Sequence, residues 1–312
     1  MVTDEKTGKD SAGIWYGVLA YTSWGVLPLY WKLLQTIPAL EILAHRILWS
    51  FIFLGAILLF TRGWQTMVAV LTNRKKLLIT FLCGVLISFN WLTFIYAVNS
   101  NQVIQTSMGY YINPLVTVFL AVLVLKERLT RWQGISIVLA AVGVLIITLQ
   151  YGKVPWIALI LAGTFALYGL TKKIVGIDPV TGLTLETFVV MPVALIYIIN
   201  MEITGVGALG SVPFYTKLIL AGGGIVTAMP LLGFAKGLHK NNLSMMGFLQ
   251  YIAPTISLLL GILVFREYFS MSHLVSFCFI WVALIIFTLS NLGVLIDNKS
   301  AKVIELEAAE KI

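Results

Sequence analysis

Runs of about 20 apolar residues, separated by short charged or Pro/Gly/Asn-rich clusters, recur along the whole chain. One α-helix needs a run of that length to cross the ~30 Å hydrocarbon layer of a bilayer. The pattern predicts ten such helices, near residues 13–34, 41–61, 77–98, 104–124, 133–150, 154–172, 183–200, 217–235, 243–264 and 272–292. Most connections are short, as expected where backbone polar groups must be satisfied within helices or lie at the water surface. The first run is longer than the apolar core of a signal peptide and reads as the first helix. Residues 1–12 and 293–312 are polar tails.

Composition agrees with a chain that is nearly used up by membrane spans. Hydrophobic residues make up 59% and charged residues 11% of its 312 positions, with a mean hydropathy of +0.96, against about 25% charged residues in a soluble domain. No length remains for a separate catalytic domain. Charge then sets the expected orientation. With the N-terminus inside, sixteen Lys and Arg residues fall on the cytoplasmic side and four (Lys32, Lys153, Lys217, Arg266) on the other, with Arg46 inside the membrane. The positive-inside rule therefore predicts a multi-pass protein of the cell membrane with both termini cytoplasmic. The net charge of +8 follows from that topology and from anionic lipid, so no nucleic-acid partner is implied.

The chain repeats itself at an offset of 140: Tyr111-Ile112-Asn113-Pro114 recurs as Tyr251-Ile252-Ala253-Pro254, and Val124-Leu125-Lys126-Glu127 as Val264-Phe265-Arg266-Glu267. Glu41 and Glu186 each open a helix in a weaker echo. Residues 13–150 and 151–292 thus read as two five-helix repeats. Five is odd, so the second repeat enters the membrane from the opposite side and the repeats are inverted, an architecture common among secondary transporters. Pro114 and Pro254 each fall about ten residues into a span, or about 15 Å, and predict kinks near the midplane.

Polar residues inside apolar spans are the candidates for chemistry, because hydrocarbon penalises them unless they are paired or face water. Tyr110, Asn113 and Thr117 lie on one helix face beside Pro114, answered by Gln250, Ala253 and Ser257, with Tyr251 adjacent. These stripes read either as the walls of a central solute cavity or as helix–helix hydrogen bonds. Asn90 and Trp91 add an amide and an aromatic. Glu41, His45 and Arg46 lie together at the start of the second helix. They read equally as handlers of substrate or protons and as a structural lock in which Glu41 caps its helix and pairs with His45 or Arg46. The charges of Lys126-Glu127-Arg128 and Arg266-Glu267 read as helix-end markers.

Other chemistries find little support. Cys83 and Cys278 are far apart in apolar runs, the three histidines form no HExxH-like pair, and no GxxxxGK[ST] loop occurs. Neither metal nor cofactor nor enzymatic activity is expected.

The residues Trp24-Gly25 with Pro28, Tyr30 and Lys32; Glu41, His45-Arg46 and Trp49-Ser50; Asn90-Trp91 and Tyr96-Ala97-Val98-Asn99; Gly109-Tyr110-Tyr111-Ile112-Asn113-Pro114-Leu115; and Gly247, Gln250-Tyr251-Ile252 and Pro254 together resemble the RarD-type permeases, in the EamA branch of the drug/metabolite transporter superfamily. The resemblance implies a ten-helix inverted-repeat permease with a central cavity for a small amphipathic organic solute. Amphenicol export is suggested by the group's link to chloramphenicol, with amino-acid or metabolite export as the alternative and a non-transporting receptor or scaffold as the reading from another class. The chain departs from the group at Gln105, where a glutamate is expected. Gln105 cannot titrate, which leaves Glu41, His45 and Glu186 as the titratable residues available for ion coupling. The implied partners are a small-molecule solute and the lipid bilayer; the resemblance fixes no oligomeric state.

Overall fold

A computed structural model describes residues 11–60, 63–125, 130–151, 153–175, 177, 179–240 and 249–291. Most of the two tails, the Lys126-Glu127-Arg128 cluster and the expected start of the ninth helix at 243 lie outside the described residues. What is described is helical, and ten of its helices overlap the expected spans, the ninth over its second half alone. These are α1 (Ser11–Lys32), α2 (Ala39–Leu59), α4 (Arg74–Asn99), α5 (Val103–Leu125), α6 (Arg131–Tyr151), α7 (Trp156–Val175), α8 (Pro179–Ile203), α10 (Phe214–Lys240), α11 (Ile252–Leu259) and α12 (Met271–Asn291). Helix α11 continues as a π-helical turn, Leu260–Val264.

Seven of these helices are long and apolar enough to cross a membrane: α2, α4, α5, α6, α8, α10 and α12. The apolar stretches of α7 and α11 are shorter, Trp156–Lys172 and Ile252–Val264. Helix α1 is outside the seven because Tyr16, Tyr21, Thr22, Ser23 and Trp24 dilute its apolar run. Two short helices were not expected, α3 (Gly63–Leu71) and α9 (Ala208–Ser211).

Local chemistry sets the helix starts. Asn73 caps α4, its Oδ1 accepting from the Lys76 backbone N–H at 3.1 Å, and Ser270 Oγ accepts from the His273 N–H ahead of α12. Helix α8 begins at Pro179, a turn earlier than its apolar run suggests, because proline at the first helical position has no N–H to leave unbonded. Asn101 takes the left-handed conformation after α4, with φ 56°, and the next amide, of Gln102, returns to the Ala97 carbonyl at 2.8 Å. Asparagine tolerates that conformation better than most residues.

Pro114 lies inside an unbroken α5. Pro254 instead lies in the first turn of α11, directly after a turn at Gln250 and Tyr251. Having no N–H, it leaves the Gln250 carbonyl without its intrahelical donor, and the chain makes a turn there instead of continuing as one helix.

Helix α2 packs against α8 and α10, α4 against α7 and α8, α5 against α7 and α11, α1 against α10 and α11, and α6 against α12. Close approach depends on glycine at several crossings. A Cβ on Gly109 would sit 2.8 Å from the Ala158 carbonyl oxygen, and one on Gly224 would sit 2.4 Å from the backbone of Trp49. The two largest core clusters lie around Trp31, Trp91, Phe94 and Leu161, and around Tyr111, Ile112, Phe277 and Ile280. Large apolar side chains such as Leu149, Ile196 and Leu263 point outward, as a lipid-facing surface requires.

Candidate functional site

Arg46 is the eighth residue of α2, about 10 Å in from the helix start. Its side chain is 5% exposed. Nε donates to Thr227 Oγ1 on α10 at 2.9 Å, and Thr227 in turn donates to the Gly223 carbonyl. The guanidinium carbon lies 3.9 Å from the ring centre of Trp91 and 4.9 Å from that of Trp31. Four helices (α1, α2, α4 and α10) thus meet on one guanidinium. Among the described residues no carboxylate lies within ion-pairing distance of it.

The Trp91 side of this cluster leads to Asn90 and Tyr110. Asn90 Nδ2 donates to the Leu161 carbonyl at 3.0 Å and to Thr164 Oγ1 at 2.9 Å, both on α7. Its Oδ1 accepts from the Tyr110 hydroxyl at 3.5 Å. Tyr110 in turn lies against Phe94 and Phe165. The structure therefore brings together Arg46, Asn90, Trp91 and Tyr110.

The remaining polar positions lie apart from that group. Asn113 donates to the Ala162 carbonyl at 3.2 Å, one of the two roles open to its stripe. Tyr251 stacks on Tyr111, not Tyr110, with ring centres 6.4 Å apart. Gln250 precedes it in the turn where α11 begins. The two halves are stitched here by Tyr111 and Thr255, whose hydroxyls are 2.5 Å apart, and by Ser107, which donates to the Pro254 carbonyl at 2.7 Å.

Glu41 does not pair with Arg46 or His45. Its Oε1 accepts from the Ala208 N–H at 2.6 Å, at the start of α9, while Glu202 takes the next N–H, of Leu209, at 2.8 Å. Both carboxylates thus satisfy donors of one short helix. His45 is 1% exposed, and neither ring nitrogen has a hydrogen-bond partner.

Glu186 lies in a different cluster, toward the other end of the bundle. It is the eighth residue of α8, so by position it matches Arg46 rather than Glu41, the third residue of α2. The early start of α8 at Pro179 accounts for the difference. Glu186 pairs with Lys172 at 3.1 Å and accepts from the Tyr168 hydroxyl at 2.9 Å. Lys172 also donates to Tyr168 at 2.7 Å. Thr80, Cys83, Lys172, Ile177, Gly182 and Glu186 line a small pocket.

Outside the apolar segments, Glu267 accepts from the N–H groups of Val103 at 2.6 Å and Ile104 at 2.8 Å, capping α5. Burial raises its carboxyl above the ordinary range, opposed by those two N–H groups and by nearby Lys32. Gln105 donates to Gln102 Oε1 at 2.7 Å in the first turn of α5. No group of His, Cys, Asp and Glu among the described residues has a metal-binding arrangement.

Reading by sequence alone passed over Trp31, Thr227, Tyr168 and Glu202. Thr227 had a signal in Gly222-Gly223-Gly224 just before it, a run that lets α10 lie close against the tryptophans of α1 and α2. The apolar pattern ends its helix at Lys172, whereas α7 continues past it to Val175.

The EamA-like transporter family matches residues 11–149. The transporter YojE of Bacillus subtilis is 47% identical over 285 residues, covering 89% of this chain and 94% of YojE. Protein RarD of Escherichia coli is 39% identical over 277 residues, covering 89% and 94%. A "chloramphenicol-sensitive protein RarD" of Pseudomonas aeruginosa is 26% identical over 280 residues, covering 88% and 92%. One solved crystal structure superposes with a TM-score of 0.54 at 18% identity, over 89% of this chain and 97% of the other, a likeness of fold.

Proposed function

Because the chain belongs to the EamA-like transporter family, as a RarD-type permease and hence a membrane transporter, we propose that it is a secondary transporter of ten membrane-crossing helices in two inverted repeats, moving a small amphipathic, aromatic-compatible organic solute through the middle of the bundle. The inverted arrangement is supported by the packing. Exchanging each helix with its counterpart in the other half turns the α5–α7 contact into α11–α1 and the α4–α7 contact into α10–α1, both of which occur, and leaves α2–α8 and α6–α12 unchanged. The matched positions of Arg46 and Glu186 fit the same relation.

The observation that carries the transport reading is the meeting of Arg46, Trp91, Tyr110 and Asn90 from three helices of one half with Thr227 of the other. A site at the seam of two halves can be exposed to either side when the halves rock. Asn113, Gln250 and Tyr251 then line the path beyond it. Glu41, His45 and Glu186 are the titratable groups within the apolar spans that are available for coupling, and the termini lie in the cytoplasm.

The test is uptake into proteoliposomes of the purified protein. Chloramphenicol is the first neutral probe because of the Pseudomonas relative's name, followed by aromatic amino acids and other aromatic metabolites. Saturable uptake that depends on the protein is expected for at least one solute. Uptake indistinguishable from empty liposomes for all of them, with correctly inserted protein, would count against transport.

A further inference from the structure

Arg46 is the one lysine or arginine among the described residues whose side chain is more than nine-tenths buried. A guanidinium taken out of water costs several kcal/mol unless an opposite charge accompanies it. Among the described residues the compensation is limited to one hydroxyl and the faces of two indoles. Cation–π contact is worth about 2 kcal/mol when desolvated, which does not replace a counter-charge. Glu41, the carboxylate closest in sequence, is held by Ala208, and Glu186 by Lys172 and Tyr168.

The surroundings are also short of acceptors. Thr227 Oγ1 is occupied by Arg46 Nε, and Asn90 Oδ1 by Tyr110. Trp31, whose ring lies 4.9 Å from the guanidinium, is 1% exposed and its indole N–H has no partner. A guanidinium and a buried, unpartnered N–H beside one another define a place for an acceptor that carries negative charge.

We propose that the transported solute is an organic monoanion whose carboxylate seats on Arg46, with its apolar or aromatic body along Trp91 and Tyr110. This rests on the transport reading above and specifies the solute class. With Nε taken by Thr227, the two terminal nitrogens present a planar fork that suits a carboxylate's two oxygens. A dianionic phosphate would call for a second buried cation, and the described residues contain none.

The experiment uses the purified full-length protein. Thermal unfolding is followed with benzoate, phenylacetate and octanoate, each beside its carboxamide, and with chloramphenicol as a further neutral compound. A ligand bound to the folded form raises the midpoint by mass action. At least one carboxylate is expected to stabilise the protein with an apparent affinity about tenfold or more above its amide, the difference a charge-assisted bidentate contact makes. Arg46→Gln should abolish that difference, and Arg46→Lys should retain part of it. Should the Gln variant not fold, the carboxylate-to-amide ratio in the wild type decides alone. Equal effects of acid and amide, no effect of any carboxylate, or a carboxylate effect unchanged in Arg46→Gln would overturn the proposal. Saturable uptake of chloramphenicol or an amide with no carboxylate effect would overturn this inference while leaving the transport reading standing. Absence of any protein-dependent uptake would remove the transport reading itself.

Discussion

Glu267, between α11 and α12, binds the backbone N–H of Val103 in the other half of the chain at 2.6 Å and reaches the next N–H, of Ile104, with its second oxygen. A helix start has unsatisfied donors and positive dipole charge, and a bidentate carboxylate answers both. Arg266 makes this possible by adopting a left-handed φ of 54°, which turns the chain back toward α5.

Replacing Glu267 by Ala should therefore destabilise the fold. Capping residues contribute about 0.5–2 kcal/mol. Since burial raises the Glu267 carboxyl and offsets part of the gain, a loss of about 1 kcal/mol is expected. Unfolding in a mild detergent measures it, and an unchanged midpoint would show that water satisfies these amides equally well.

The Lys172–Glu186 pair gives a ranked prediction. Lys172→Ala strands Glu186, whose side chain is 3% exposed, whereas Glu186→Gln strands Lys172, which is 21% exposed and can reach water. The lysine substitution should cost more, toward about 3 kcal/mol, because an uncompensated buried charge dominates the loss. Lys172→Met combined with Glu186→Met should cost less than the sum of those two Met substitutions made singly. A double-mutant cycle on detergent-solubilised protein reads this; additive losses would mean that the two charges do not interact.

Gly224 and Gly163 should respond oppositely to alanine. At Gly224 a Cβ would lie 2.4 Å from Trp49 backbone atoms, while at Gly163 nothing lies within 4 Å. Gly224→Ala must push α10 off α2, an overpacking cost of about 3 kcal/mol, and should lower both stability and transport. Gly163→Ala should be neutral or stabilising by up to about 1 kcal/mol through helix propensity. Equal midpoints for the two variants would argue against a close α2–α10 contact.

Topology can be tested on exposed connections. In a background lacking Cys83 and Cys278, a cysteine at Thr72 should react with an impermeant maleimide only from the cytoplasm, and one at Asn101 only from outside. Both positions are exposed and lie in the turns that flank α4 at its two ends. Labelling of Asn101→Cys from the cytoplasmic side would invert the assignment.

The placement of the helices is legible because membrane spans announce themselves through length and apolarity, but their starts are less so: α4 begins at Arg74 behind its Asn73 cap and α8 at Pro179, each ahead of its apolar run. The site was legible only in part. Arg46, Asn90, Trp91 and Tyr110 could be singled out, since a charge or amide in hydrocarbon needs a reason. Their partners could not be, because Thr227 and Trp31 are unremarkable in their own helices and meet Arg46 only when α1 and α10 pack against α2. The same limit explains Glu41: its partner is the backbone of α9, a four-residue helix without a sequence period of its own.

Arg46 and Glu186 hold matching places in the two halves, yet Glu186 is electrically silent beside Lys172 while Arg46 has no counter-ion among the described residues. An empty carrier therefore takes one net positive charge with it wherever this part of the bundle moves through the field, at about 2.3 kcal/mol per 100 mV for a full crossing. A carrier loaded with a monoanion takes none. The loaded step should then ignore the membrane voltage and the empty return step should sense it, so that an inside-negative voltage alters turnover by acting on the half of the cycle in which nothing is being transported.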